Sequence, residues 1–255
     1  MRRLPFVPLL IPAFLIATAA LAATADERSD TATGSDAATE TVALFDGSSL
    51  DGWTGDERFW SVEDAAIVGR TTKDNPAEQN TFLVYERRSF EDFILTFEYR
   101  VRGFNSGVQY RSRVGEDHSV AGYQADFEAR WHDDGTADKF TGMFFEEGGR
   151  MFLGQRGQAV VVGPAGEDGK PGITEVGSVG DAAELEKVIK RDDWNRYTVV
   201  ASGNAFIHSV NGRVLSVAVD ADAENAAESG VVAFQLHSGT PMEIRVRDIT
   251  VRPLK

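Results

Sequence analysis

The chain has 255 residues, no cysteine and a formal net charge of −14. The excess of acidic groups argues against nucleic acid and anionic membrane surfaces as partners, because both are negatively charged. The absence of cysteine excludes disulfides and thiolate chemistry, so a hydrophobic core must stabilise the fold. A chain of this length is long enough for one large all-β domain.

The first 25 residues have the pattern of a secretory signal peptide. Arg2 and Arg3 precede a long apolar run, and the stretch ends in the small-residue cleavage motif Ala23-Thr24-Ala25. An uncleaved membrane anchor is the alternative, although prolines and alanines interrupt the apolar run. We therefore expect a secreted or periplasmic protein that does not contact the membrane after cleavage. Loss of the two arginines would change its net charge from −14 to −16.

Residues 26–41 follow as a small, polar and acidic stretch, which is typical of a disordered leader. The folded domain is predicted to span 42–255. Period-two alternation then marks many short strands, most clearly in FILTFEYRVR at 93–102, where one face is apolar. Similar strands are predicted at FWSVE, AIVGR, TFLVYE, GVQYRSR, YQADFEA, RYTVVAS, AFIHSV, RVLSVAV, GVVAFQLH and MEIRVRDITV.

Two local signals complete the prediction. Asn211-Gly212 between apolar runs indicates a hairpin. DAAELEKVIKRDD, at 181–193, indicates a short surface helix with an acidic cap and one apolar face. The predicted fold class is all-β, a two-sheet jelly-roll sandwich with one short surface helix; a barrel is the alternative.

Several stretches resemble one family in their order along the chain. They are ALFDGSSLDGW at 43–53, NSGVQYR at 105–111, GYQADF at 122–127, TGMFFEEGGR at 141–150, DDWNRYTVVASGN at 192–204, HSVNG at 208–212 and GVVAFQLHSGTPMEIRVRDITV at 230–251. Over 42–255 the chain is similar to the 3-keto-disaccharide hydrolase family, which has a concanavalin A-like lectin/glucanase jelly roll. The resemblance implies cleavage of a glycoside already oxidised at C3. Many members have an acidic residue before the central glutamine, as in YEVQILD, whereas this chain reads GYQADFEA there, which leaves the exact substrate unnamed.

Two polar strands form the first candidate site. Gln109 and Arg111 share one face of NSGVQYR, where Gly107 leaves room for a ligand above the sheet. Gln124 and Asp126 share one face of GYQADF. If the strands pair, these four side chains lie together and can hydrogen-bond sugar hydroxyls. The alternative is a solvated face with an Arg111–Asp126 ion pair.

FFEEGGR and FQLHSG supply further candidates. Glu146 and Glu147 point to opposite faces of a strand, and the family pattern favours Glu147, with Arg150 as a partner for a carboxylate. Gln235 and His237 share a face, and a histidine suits proton transfer near neutral pH.

Tryptophans differ in their predicted roles. Trp131 follows the second polar strand and is the predicted platform on which a sugar ring stacks. Trp53, Trp60 and Trp194 are expected in the core or as loop anchors.

As an enzyme, the protein would use a base to remove the C2 hydrogen of a 3-keto glycoside, so that the C1 substituent leaves by β-elimination and water then adds. We predict His237 or Asp126 as the base, Arg111 as a clamp and Glu147 as the acid. Hydrolysis by Asp126 and Glu147 as paired carboxylates is the alternative mechanism. The predicted substrate ligands are Asn105, Gln109, Gln124, Trp131, Arg150 and Gln235.

Two other functions fit the same residues. A non-catalytic, lectin-like module would bind a glycan on the polar face without proton transfer, and an exported structural or adhesion domain is the third hypothesis. The sequence has no compact metal-ligand motif, so no cofactor is identified; a divalent cation that polarises the ketone is compatible with the chemistry. The predicted partner is a carbohydrate or glycoside, and the sequence does not specify an oligomeric state.

Overall fold

The computed structural model describes residues 40–116, 118–129 and 140–254, which form seventeen strands and one helix. The predicted signal peptide, most of the predicted leader, and Trp131 lie outside the described residues. The strands are β1 (Val42–Ala43), β2 (Trp53–Thr54), β3 (Trp60–Glu63), β4 (Ala66–Arg70), β5 (Thr81–Phe90), β6 (Phe93–Arg102), β7 (Asn105–Val114), β8 (Val120–Glu128), β9 (Phe144–Glu147), β10 (Met151–Gly154), β11 (Gln158–Ala165), β12 (Pro171–Ser178), β13 (Asn195–Ser202), β14 (Ala205–Val210), β15 (Arg213–Asp220), β16 (Gly230–Leu236) and β17 (Glu243–Pro253). The helix is α1 (Ala182–Glu186).

The strands form two sheets. The larger sheet has ten strands in the order β12-β11-β15-β14-β13-β6-β17-β4-β3, with β1 also paired to β17. The smaller sheet has seven, in the order β10-β9-β8-β7-β16-β5-β2. β16 pairs with both β5 and β7, and therefore brings the C-terminal part of the chain beside the two polar strands. The prediction of an all-β, two-sheet sandwich with one short helix is confirmed.

The core lies between the sheets. Along β6, the side chains from Phe93 to Val101 alternate between buried and partly exposed, as the period-two pattern predicts. The ring of Phe97 contacts Phe127 of β8, at 6.0 Å between centroids, and Phe234 of β16, at 5.2 Å. Burial of each such ring stabilises the fold by about 1.5–3 kcal/mol. Residues next to Phe127 and Phe234 in sequence therefore lie on the opposite face of the smaller sheet.

The helix and the hairpin both lie where the sequence predicts them, although the helix is shorter. Asp181 caps α1 by accepting hydrogen bonds from the backbone N–H groups of Ala183 and Glu184. The helix ends at Glu186, earlier than the predicted stretch, and the backbone continues in turns. Asn211 and Gly212 join β14 to β15 with φ angles of 51° and 79°, the left-handed backbone of a tight hairpin turn.

Three tryptophans are core residues or anchors, as expected. Trp53 and Trp60 are buried, and the indole N–H of Trp53 donates to the Leu44 carbonyl at 2.7 Å. Trp194 lies under the guanidinium of Arg247, 3.9 Å from the ring centroid. Across the described part of the chain, no helix combines the length and the hydrophobicity that crossing a membrane requires.

Candidate functional site

A cleft of about 320 Å³ opens on the face of the smaller sheet that is turned away from the core. Its floor consists of polar side chains from β7, β8, β9 and the end of β16, together with one side chain that precedes β5. These are Asn80, Asn105, Gln124, Asp126, Glu128, Glu147, Gln235 and His237. Six of them, all except Asn80 and Glu128, are residues that the sequence predicts for the site.

Amide side chains connect two carboxyl groups across the floor. Nε2 of Gln124 donates to Oδ1 of Asp126 at 2.6 Å and lies 3.5 Å from Oε1 of Gln235. Nε2 of Gln235 donates to Oε2 of Glu147 at 2.9 Å. Nδ2 of Asn80 donates to the other oxygen of Glu147 at 3.2 Å. Each side chain is held by its neighbour, so the floor is ordered before a ligand arrives.

Gln109 supports this network from below. It lies opposite Gln124 in the β7–β8 register, is buried, and its amide hydrogen-bonds both the Gln124 amide and the Ser112 hydroxyl. The space above Gly107 is filled as well, because a Cβ there would lie 2.5 Å from Cγ of Gln124. The prediction that a ligand lies above Gly107 is therefore wrong; the glycine makes room for Gln124 instead.

Asp126 is a buried acid of the cleft with a perturbed pKa. Burial raises its pKa to about 8; hydrogen bonds from Gln124 and Asn105 oppose the rise, and the nearby charge of Glu147 adds to it. A carboxyl group with this pKa is mostly protonated at neutral pH, so it can donate a hydrogen bond or a proton. This places Asp126 closer to an acid than to the base that the sequence analysis predicts as one alternative.

His237 follows β16 and faces the same cleft. Its Nδ1 lies 2.8 Å from the carbonyl oxygen of Ser238. Because a carbonyl can only accept, Nδ1 carries the hydrogen, and Nε2 of the neutral ring keeps a free lone pair. The ring packs edge-on against Phe104, at 4.7 Å between centroids. Oδ1 of Asn80 accepts from the Ser238 N–H at 3.0 Å, so one asparagine positions both Glu147 and the His237 segment.

Glu128 and Asn80 are site residues that the sequence analysis missed. Glu128 lies two residues beyond Asp126 on the same face, is buried, and accepts a hydrogen bond from the Phe140 N–H at 2.9 Å. The period-two pattern, which places Glu128 on the same face as Asp126, could have identified it from the sequence. Asn80 gave no comparable signal, because it precedes β5 and reaches the cleft only through the pairing of β5 with β16.

Aromatic and sulphur-containing side chains form an apolar rim on one side of the cleft. The rings of Phe140 and Phe152 stack at 6.2 Å, and Phe145 meets Phe152 edge-on at 5.2 Å. Met151 and Phe152 are about half exposed, at 52% and 48%. Met151 has a φ of 66°, which breaks the alternation, so that Met151 and Phe152 both line the cleft. Such a rim fits the C–H face of a sugar ring, the role predicted for Trp131.

Arg111 lies outside the cleft. The β7–β8 ladder has a bulge between Tyr110 and Arg113, and the φ of 46° at Arg111 reverses the alternation of side chains. The prediction that Arg111 shares a face with Gln109 is therefore wrong. The guanidinium is buried and binds the Asp92 carboxylate at 2.8 Å and the carbonyls of Glu91, Gly203 and Ala227. It lines a separate cavity of about 540 Å³.

Arg150 is also absent from the cleft. Its guanidinium contacts Glu146 and Asp220, each at 2.6 Å, and Asp222 at 3.3 Å. Glu146 alternates with Glu147 along β9 and so points to the other face, as the strand period requires. Arg150 thus belongs to a buried ion cluster, and its predicted place as a substrate ligand is wrong. Glu147, by contrast, faces the cleft as predicted.

Within 40–116, 118–129 and 140–254, no group of three or more histidine, aspartate or glutamate side chains could hold a metal ion.

The fold has counterparts among solved structures. Two structures from Parabacteroides distasonis ATCC 8503, each described as a candidate glycosyl hydrolase, align with TM-scores of 0.54 and 0.51. The first is 15% identical and covers 84% of this chain and 100% of its own; the second is 16% identical and covers 84% and 94%. A carbohydrate-binding module from Bacillus subtilis is 16% identical, with a TM-score of 0.48, and covers 79% and 95%. Identities this low show a shared fold alone. No curated protein matches the chain.

One family profile, described as the 3-keto-alpha-glucoside-1,2-lyase-like domain, matches residues 40–252. The match covers most of the chain and includes every residue of the cleft floor. It confirms the family that the sequence motifs indicate. The chain therefore belongs to the carbohydrate-related family of 3-keto-alpha-glucoside-1,2-lyase-like domains.

Proposed function

We propose that this protein cleaves the glycosidic bond of a 3-keto glycoside by elimination followed by hydration. One observation carries the proposal. The cleft holds a buried acid, Asp126, that keeps its proton near neutral pH, together with two proton acceptors, His237 and Glu147. Elimination next to a ketone needs such a donor and such acceptors.

The first step uses the acidity that the C3 ketone gives to the C2 hydrogen. Nε2 of His237 accepts this hydrogen as a proton, because Nδ1 already donates to Ser238. The electron pair of the C2–H bond moves into the ketone, and negative charge develops on the C3 oxygen. The O–H of Asp126 donates a hydrogen bond to that oxygen, as a neutral carboxylic acid in a buried site can.

The second step breaks the bond between C1 and the leaving oxygen. As the enolate collapses, a C1–C2 double bond forms, and the imidazolium of His237 returns its proton to the leaving oxygen. Water then adds to C1 as Glu147 accepts one of its protons; the carboxyl oxygens of Glu147 are oriented by Asn80 and Gln235. Glu147 passes this proton to C2, and the free 3-keto sugar results. His237 and Glu147 thus each return the proton that they accept.

A 3-keto glucoside with a chromogenic aglycone tests this function in D₂O, beside its parent glucoside. We expect aglycone release from the keto compound alone, with deuterium at C2 of the product. His237→Gln should lower turnover at least about a hundredfold, at the lower end of the range for general base catalysis. His118→Gln is the matched control, because His118 lines a different cavity, and we expect no change.

Three outcomes would contradict the proposal. Release without deuterium at C2 would indicate direct hydrolysis by Asp126 and Glu147. Turnover of the parent glucoside alone would exclude the keto-specific route. Glycan binding without release from either compound would indicate a lectin-like binding module.

We also propose that the protein is exported, on the basis of the basic start, the apolar run and the Ala23-Thr24-Ala25 motif. N-terminal sequencing of protein from a bacterial periplasm or medium should then begin at Thr24 or Asp26. Full-length protein held in the membrane fraction would contradict this proposal.

A further inference from the structure

A second cavity of about 680 Å³ adjoins the cleft. Asn80, Glu147 and His237 line both spaces. The two spaces are therefore compartments of one groove, and these three side chains lie at their junction. We call the cleft that holds Asp126 the inner compartment and the adjoining cavity the outer compartment.

The compartments differ in chemistry. Asp126, Gln124 and Asn105 give the inner compartment several convergent polar groups, which fix a ligand in one orientation. The lining of the outer compartment combines small residues with the exposed side chains of Glu78 and Gln79. The small residues include Gly115, Ser119, Ala121 and Gly148. Small residues leave room for a bulky group, and exposed side chains place few constraints on its hydroxyl pattern.

Ala121 and Gly148 set the depth of the outer compartment. A Cβ on Gly148 would lie 3.1 Å from the Cβ of Ala121, so the two backbones pack closely at this wall. Gly148 has a φ of 64°, a backbone that side chains rarely adopt. The small residues at these two positions therefore keep side-chain atoms out of the outer compartment.

We infer that the outer compartment binds the leaving group, which is a second sugar ring or a ring-sized aglycone. The 3-keto ring occupies the inner compartment, and the scissile bond crosses the junction beside Glu147 and His237. This assignment rests on the proposed function and adds the placement of the substrate. It predicts tight selection of the ring that reacts and broad tolerance of the group that leaves.

Ala121→Trp tests the assignment, because an indole would fill the outer compartment. The test compares kcat/KM for a 3-keto disaccharide with kcat/KM for the corresponding methyl 3-keto glucoside. We expect kcat/KM for the disaccharide to fall at least about tenfold, the usual effect of a steric misfit. For the methyl compound, kcat/KM should change by no more than about twofold. Val176→Trp is the control, since Val176 is 63% exposed on β12, and neither substrate should respond to it.

An equal loss on both substrates, or an unchanged rate on the disaccharide, would overturn the assignment. Ala121→Leu repeats the comparison with a smaller side chain, should the indole prevent folding, and a smaller selective loss is then expected. If the unaltered protein releases nothing from either compound, the proposed function fails, and that result is distinct from failure of the assignment.

Discussion

Replacing Asp126 with asparagine removes the titrating proton of the cleft and keeps the size of the side chain. In the folded protein the pKa of this carboxyl group is about 8, against 3.8 for the free group. Between these values the folded state binds one proton more than the unfolded state. The group's contribution to stability is thus fully present below about pH 4 and is lost as the pH rises through 8.

The magnitude follows from the linkage between proton binding and unfolding. One bound proton changes the free energy of unfolding by about 1.4 kcal/mol for each pH unit, and so by about 3 kcal/mol from pH 5 to pH 7. Asp126→Asn lacks this dependence. The free energy of unfolding of the variant, relative to the parent, should therefore rise by about 3 kcal/mol over that range and level off above pH 8.

Urea unfolding at pH 5, 6, 7 and 9, followed by tryptophan fluorescence, measures this difference. Ser112→Ala is the matched control, because it removes a buried hydroxyl near the same network that does not titrate in this range. Its difference from the parent should stay constant with pH. A constant difference for Asp126→Asn as well would refute the raised pKa, and with it the role of Asp126 as the neutral acid.

Three further changes have defined outcomes. Turnover of the 3-keto substrate should fall as pH rises through about 8, where Asp126 loses its proton; Asp126→Asn should be slower and should lack this fall in a pH–rate profile. Phe152→Ala should raise KM roughly two- to tenfold, because one aromatic contact contributes about 0.5–1.5 kcal/mol, and kcat should stay nearly constant. An unchanged KM would exclude Phe152 as a platform for the sugar ring. Arg150→Met should lower the free energy of unfolding by about 3–5 kcal/mol in urea, because it leaves Glu146 and Asp220 buried without their cation; a loss below about 1 kcal/mol would contradict this.

Period-two alternation predicted much of the site from sequence. It placed Gln124, Asp126 and Gln235 on the face opposite the core, and it separated Glu147 from Glu146. The method works here because each of these residues lies in a regular part of its strand, where successive side chains must point to opposite faces.

The same alternation failed where the backbone is irregular. Arg111 lies in a bulge with a left-handed φ. That conformation has no residue signature such as glycine or asparagine at this position. Asn80 was missed for another reason, since its contacts with Glu147 and Ser238 depend on pairings between distant parts of the chain.

The position of Arg111 outside the cleft affects the protonation of Asp126. Beside Asp126, a guanidinium would favour the charged carboxylate and hold its pKa low, and the group could not act as a neutral donor at pH 7. The bulge instead directs Arg111 to Asp92, and the described residues that line the cleft include no lysine or arginine. Amides then remain as the partners of Asp126, and they do not offset the cost of burying its charge.

The same lack of a lining cation bears on the substrate. A uronic acid in the cleft would bring a carboxylate toward Glu128 and Glu147, with no counter-charge from the described lining residues. Desolvation and repulsion would both oppose its binding. Under the proposed function, a neutral 3-keto sugar would avoid this cost, and its ketone oxygen would gain negative charge only during the reaction, when the Asp126 proton is available to it. The charges of the described lining residues therefore fit the neutral substrate that the proposed function requires.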